Sequence, residues 1–119
     1  MRNTKNLFRV LVFVLTLFVF ENSNAQMVYI TTVADSSSIN VYTTTVDSLA
    51  DIFVKNVELA EDANSDGFWF LVTNSSDAQI KVFFTANENE SDLKVFYVTD
   101  ESLVGWKTNN KRYFFKSAQ

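Results

Sequence analysis

The sequence predicts a β-rich α/β domain: seven short strand repeats joined by short helical turns. Three observations predict it. Two adjacent runs, Ile80-Lys81-Val82-Phe83-Phe84 and Leu93-Lys94-Val95-Phe96-Tyr97, share one pattern at a spacing of 13 residues. Similar apolar pairs, in most cases β-branched then aromatic, stand at Val28-Tyr29, Val41-Tyr42, Ile52-Phe53, Trp69-Phe70 and Tyr113-Phe114, which makes seven units at steps of 11 to 18 residues; that composition favours strands. Between the units the chain turns polar and acidic, with two Gly and no Pro in its whole length. Tight hairpins want Gly or Asn-Gly where φ is positive, whereas a turn of helix makes no such demand. A period near 13 residues is too short for a strand–helix–strand crossover of roughly 30 residues, so neighbouring units have to stack to bury a core.

Taken in order, residues 1–25 read as a secretory signal peptide. Arg2, Lys5 and Arg9 form a positive start, Val10 to Phe20 an apolar run interrupted by Thr16, and Glu21 to Ala25 a polar end closing on small residues. The apolar run falls short of the roughly 20 residues a spanning helix needs. Cleavage after Ala25 leaves residues 26–119 as the repeat domain, with a secreted or periplasmic location expected. Losing three cations and Glu21 takes the net charge from −4 to −6. Such an acidic surface repels phosphate backbones and anionic lipid, so neither nucleic acid nor membrane is expected as a partner. Exported small domains often lean on disulfides; this chain has no cysteine, so packing must hold it. Residues 26–119 carry eight of its twelve Phe with all four Tyr and both Trp, each able to bury roughly 150–250 Å².

Along the domain, Phe68 to Val72 lacks alternation and reads as a strand covered on both faces. The connectors begin with Asp, Asn or Ser. Asn87 with Glu90, and Ser48 with Asp51, have capping-box spacing. Glu58 to Gly67 is the best helix candidate, with Leu59, Ala60 and Ala63 on one face and Gly67 ending it. Leu103 to Asn110 lengthens the sixth unit.

These units resemble the 7(1) septoil knot domain family. The likeness rests on Leu49-Ala50-Asp51, Asp77-Ala78, Gly67-Phe68-Trp69-Phe70, Val104-Gly105-Trp106 and Lys111-Arg112-Tyr113-Phe114, and spans about residues 28 to 116. The first unit, Val33 to Ser38, lacks the Ala-Asp ending. The resemblance implies one deeply knotted domain, a seven-crossing torus knot of strands and helical turns, and it carries over no catalytic residues.

Candidate chemistry is sparse. Asp62, Asn64 and Asp66 before Gly67 match the first half of a calcium loop, but Thr73 stands where the bidentate Glu belongs; a capped turn explains the same letters. With no His and no Cys, the commonest general base and the thiolate are both absent. A carboxylate hydrolase would have to use two of Asp47, Asp51, Asp77 and Asp92, which turn capping already accounts for. Lys81 and Lys94 repeat in register and fit rim protection of a sheet. Trp69 lies in an apolar run and fits the core. Trp106, after Gly105 in a polar stretch, is the candidate binding residue. Asn74 and Asn89 head glycosylation sequons. The expectation is a monomeric, non-enzymatic structural or binding module without a cofactor, meeting an unknown protein or cell-envelope polymer through Trp106. A calcium-dependent domain and a carboxylate hydrolase are the alternatives.

Overall fold

The computed structural model describes residues 26–116; the expected signal peptide lies outside them. Seven strands run in chain order: β1 (Met27–Ile30), β2 (Ser38–Thr43), β3 (Ile52–Asn56), β4 (Phe68–Val72), β5 (Ile80–Phe84), β6 (Leu93–Tyr97) and β7 (Gly105–Trp106). A four-residue helix, α1 (Tyr113–Lys116), follows. In space the order is β4-β1-β5-β2-β6-β3-β7, and β4 also pairs with β3, which closes the sheet into a barrel-like ring. Only the β3–β7 pairing is antiparallel. Five of the six steps from one strand to the next advance two places round this ring, always in the same sense; the β3-to-β4 step, where the ring closes, reaches a direct neighbour. The chain therefore makes two circuits, and the second circuit's strands alternate with the first's.

Parallel neighbours normally need a connection of a dozen residues or more. Here the connectors are seven to eleven residues long. Short strands make that sufficient: seven extended residues reach up to about 25 Å, more than the roughly 17 Å of a five-residue strand. Five connectors hold a single 3-10 turn, centred on Ser48, Glu61, Ser76, Asn89 and Ser102. Thr44 and Thr85 open two of them alike, each hydroxyl accepting the N–H two residues on, Val46 and Asn87. Asn74, Asn87 and Asp100 then cap the turns by accepting from Ser76, Asn89 and Ser102. Ser48 and Asp51 form no capping box; Val46 stands at that cap without a side-chain bond.

Alternation sorts the strand residues into two layers. Val28, Val41, Val54, Val82 and Val95 are fully buried, and Ile39, Ile52, Ile80 and Leu93 nearly or wholly so. Full burial of each such side chain contributes roughly 1.5–3 kcal/mol. Their partners in the apolar pairs, Tyr29, Tyr42, Phe83 and Phe96, point the other way and are half-buried. The aromatics expected to make the core thus form mostly an outer layer, while the interior is β-branched. Trp69 is the exception: it is fully buried inside with Phe115 beside it.

Several expectations are corrected. The seventh strand is Gly105–Trp106, whereas Tyr113-Phe114 is helical. The stretch from Glu58 holds only the 3-10 turn Ala60–Asp62, and Gly67, which lacks a positive φ, is no helix cap. In β4 only Trp69 is buried; Leu71 is 40% exposed, so that strand is not covered on both faces. Among the described residues, helix is confined to these short turns and α1, so the fold is β-rich with few helices rather than α/β.

Candidate functional site

The ring closes at β3, and the least repetitive residues gather there. One edge of β3 pairs with β6 from Ile52 to Val54. The other edge is divided: Ile52 and Phe53 face β7, and Lys55 and Asn56 face β4. Both glycines of the chain stand at this junction. A Cβ on Gly67 would lie 2.5 Å from Val104 Cγ1 and 2.7 Å from the Phe53 carbonyl oxygen, so backbone and side chain approach here as only glycine permits. Gly105 has φ +141°, in a region L-residues rarely adopt, with open space around it.

The two tryptophans are tied to the same residue. The Trp69 indole N–H donates to the Asp66 carbonyl at 2.8 Å, and the Trp106 indole N–H donates to Asp66 Oδ2 at 2.8 Å. Phe115 of α1 packs on both rings, 6.2 Å from Trp69 and 5.2 Å from Trp106. Beside them opens a cleft of about 400 Å³, lined by Ser65, Asp66, Gly67, Trp106, Asn109 and Arg112 among others. Trp106 is therefore not a free surface ring. It is half-buried, with its N–H engaged and one side against Phe115. Ser65, Asn109 and Arg112, all exposed, are groups in that cleft able to meet something outside.

The sequence did not mark out these partners. Asp66 and Trp106 lie 40 residues apart, and no local pattern links them. The calcium triplet is divided by the same geometry. Asp62 and Asn64 line a different cleft, of about 430 Å³, with Lys55, Glu58, Phe68 and Glu101, while Asp66 turns to the indole. Among the described residues no group of three or more acidic side chains is placed to hold a metal ion.

The four connector aspartates do not act alike. Asp51 and Asp92, each immediately before a strand, clamp the neighbouring parallel strand. Asp51 donates its N–H to the Lys94 carbonyl at 2.8 Å and accepts the Lys94 N–H on Oδ2 at 2.8 Å. Asp92 does the same with Asn40, at 2.7 and 2.9 Å. Asp51, 8% exposed, also receives the Lys111 ammonium at 3.1 Å, and its carbonyl accepts the N–H of Lys107 at 2.7 Å. Asp47 and Asp77 are exposed in their turns. A signal for the clamps did exist: Ala50-Asp51-Ile52 and Ser91-Asp92-Leu93 place Asp identically before an apolar residue.

Lys81 and Lys94 guard no free rim. Lys81 reaches Asp35 at 3.9 Å and the Ser37 hydroxyl at 3.3 Å, in the connector that passes β5. Lys55 does the same with Glu101 at 3.3 Å, and Lys94 meets Glu88 at 3.0 Å. Exposed pairs of this kind contribute roughly 0–1 kcal/mol each. Asp35 and Asp100 are held below the ordinary carboxylate value, chiefly because the hydroxyls of Ser37 and Ser102 donate to them.

Among the described residues no helix is long and apolar enough to cross a membrane. The chain matches the family model of the 7(1) septoil knot domain over residues 22–107, a stretch that ends just past β7 and leaves α1 outside. No curated protein and no solved structure matches it.

Proposed function

The chain belongs to the 7(1) septoil knot domain family, and on that premise we propose that it is an exported, non-catalytic binding or structural module whose backbone is tied in the seven-crossing knot. The observation that supports the reading is the two-place step that every connector but the β3–β4 one takes round the ring. A connector that skips a place has to pass a strand of the other circuit, so crossings accumulate step by step instead of cancelling. Knots are otherwise rare because chains avoid threading themselves. Untying this one means drawing an end back past several connectors, so unfolding is slow. Denaturant-jump unfolding checks this: relaxation over many minutes in strong denaturant is expected, and completion within seconds removes the knot.

The non-catalytic part of the proposal is supported by how the carboxylates are used. Asp51 and Asp92 are bound to strand N–H groups, and Asp66 to an indole. The binding part locates contact with a protein or cell-envelope polymer at the cleft beside Trp106, where Asn109 offers an amide and Arg112 a planar fork of donors. The module acts as a monomer outside the cytoplasm. Capture from the exported fraction, with Asn109→Ala and Arg112→Ala beside the unaltered protein, tests the location. Both residues are exposed, so the variants fold. Lost capture supports the cleft, and an unchanged set of captured partners moves contact elsewhere.

A further inference from the structure

We propose that Gln26 becomes the first residue of the exported chain and closes on itself as a pyroglutamyl lactam. The proposal rests on the export reading above, with cleavage after Ala25.

Gln26 is no frayed end. Its N–H donates to the Ala63 carbonyl at 2.9 Å, and its carbonyl accepts the Phe70 N–H at 3.0 Å. The residue is 8% exposed. Its side-chain Nε2 is buried with no hydrogen-bond partner among the described residues. An unpaired buried amide is unfavourable, and a charged α-ammonium buried beside it would be more so.

One intramolecular reaction removes both problems. The neutral α-amine attacks Cδ of its own side chain, a C–N bond forms, and the Cδ–Nε2 bond breaks. Nε2 leaves as ammonia with a proton from the α-nitrogen. Nothing is oxidised and no co-reactant is required. The group expelled is the one the structure leaves without a partner. The lactam nitrogen keeps one N–H for the Ala63 carbonyl, and the Gln26 carbonyl still serves Phe70. Because the reacting groups belong to one residue, burial from solvent is no obstacle, and the closed end offers exopeptidases no amine.

The full chain with its leader, expressed in an exporting host, provides the test by intact mass and N-terminal labelling. The expected product is residues 26–119 lighter by one ammonia, with its α-amine unreactive. Gln26→Ala should restore the reactive amine at the full mass of its chain. On warm incubation of any uncyclised material, loss of ammonia should raise the denaturation midpoint. Residues 26–119 with Gln26 intact after prolonged incubation would overturn the lactam while leaving export standing. A different first residue overturns the cleavage position and the lactam together. A blocked Gln26→Ala chain would place the block elsewhere and also overturn the proposal.

Discussion

The wall formed by β1, β5, β2 and β6 and the seam formed by β3, β4 and β7 are built on different terms. In the wall one rule is applied again and again. A β-branched residue points in, an aromatic or Lys points out beneath a connector, and the chain re-enters as a short strand. Val82 and Val95 fill the interior alike one unit apart, and Lys81 and Lys94 each pair with a connector carboxylate. At the seam several residues are used once: Gly67 for its missing Cβ, Gly105 for its φ, Asp66 for two indoles, Phe115 as the plug against them. The difference shows what a repeat cannot supply by itself. Copying a unit extends a sheet, but closing it by bringing β3 against β4 requires positions that fit only one place.

The sharpest test compares one added carbon at the seam with two removed from the wall. Gly67→Ala would drive a methyl against the Phe53 carbonyl oxygen and Val104, and should cost about 3 kcal/mol, the upper end of overpacking penalties. Val82→Ala, at a fully buried wall position, should cost about 2 kcal/mol although it removes more material. Urea denaturation midpoints measure both. If Val82→Ala proves the more damaging, the seam is no tighter than the wall. Combining Gly67→Ala with Val104→Ala should recover only part of the loss, because the Phe53 oxygen stays in place.

The aspartate clamps sharpen the comparison next, because one bridges wall and seam and the other lies within the wall. Asp51 holds Lys94 and Lys111 through its carboxylate while its backbone takes Lys107. Asp51→Ala should cost about 2–3 kcal/mol by leaving a buried N–H and an ammonium without their acceptor. Asp92, half-buried with Asn40 as its one backbone clamp, should cost about 1 kcal/mol on the same change. Equal losses would mean that the C-terminal segment adds nothing to the first clamp. Trp106→Phe keeps the contact with Phe115 but deprives Asp66 of its donor, and should cost about 1 kcal/mol.

Legibility in the sequence follows the same division. The first six strands could be read because each of these units, the four of the wall with β3 and β4, announces itself locally by an apolar pair and a polar connector. The pairs at Val82-Phe83 and Val95-Phe96 lie inside β5 and β6. The seventh could not. The edge of β3 is shared with β4, so β7 is cut to two residues, Gly105 and Trp106, and carries no apolar pair. Tyr113-Phe114 imitates the unit but sits in α1, with Tyr113 stacked on Phe114 at 4.4 Å. Composition also misassigned the layers. An aromatic-rich chain suggests an aromatic core, yet connectors on the outside give this sheet a second covered face, and the rings go there. The sequence singles out Trp106 as a candidate but not its setting, because its partner Asp66 is remote in sequence.

The smallest effect takes one turn from each region. Asp35, in the connector beside Lys81, accepts the Ser37 N–H and hydroxyl at 2.8 and 2.7 Å; Asp100, leading to the seam, accepts those of Ser102 at 2.9 and 2.7 Å. Asn74 and Asn87 perform the same capping without charge. Folding depresses the two aspartates' pKa values below their ordinary 3.8. Their contribution is therefore complete above the unfolded value and is lost as pH falls through the folded one. Both are solvent-exposed, so the effect is small. Asp35→Asn with Asp100→Asn retains the acceptor oxygen and removes the titration. Unfolding midpoints at neutral pH should hardly change, while their decline below about pH 4 should become shallower than in the parent. An unchanged acid limb would mean that these two carboxylates contribute nothing to it, and turns in both regions would then be as indifferent to charge as their asparagine counterparts.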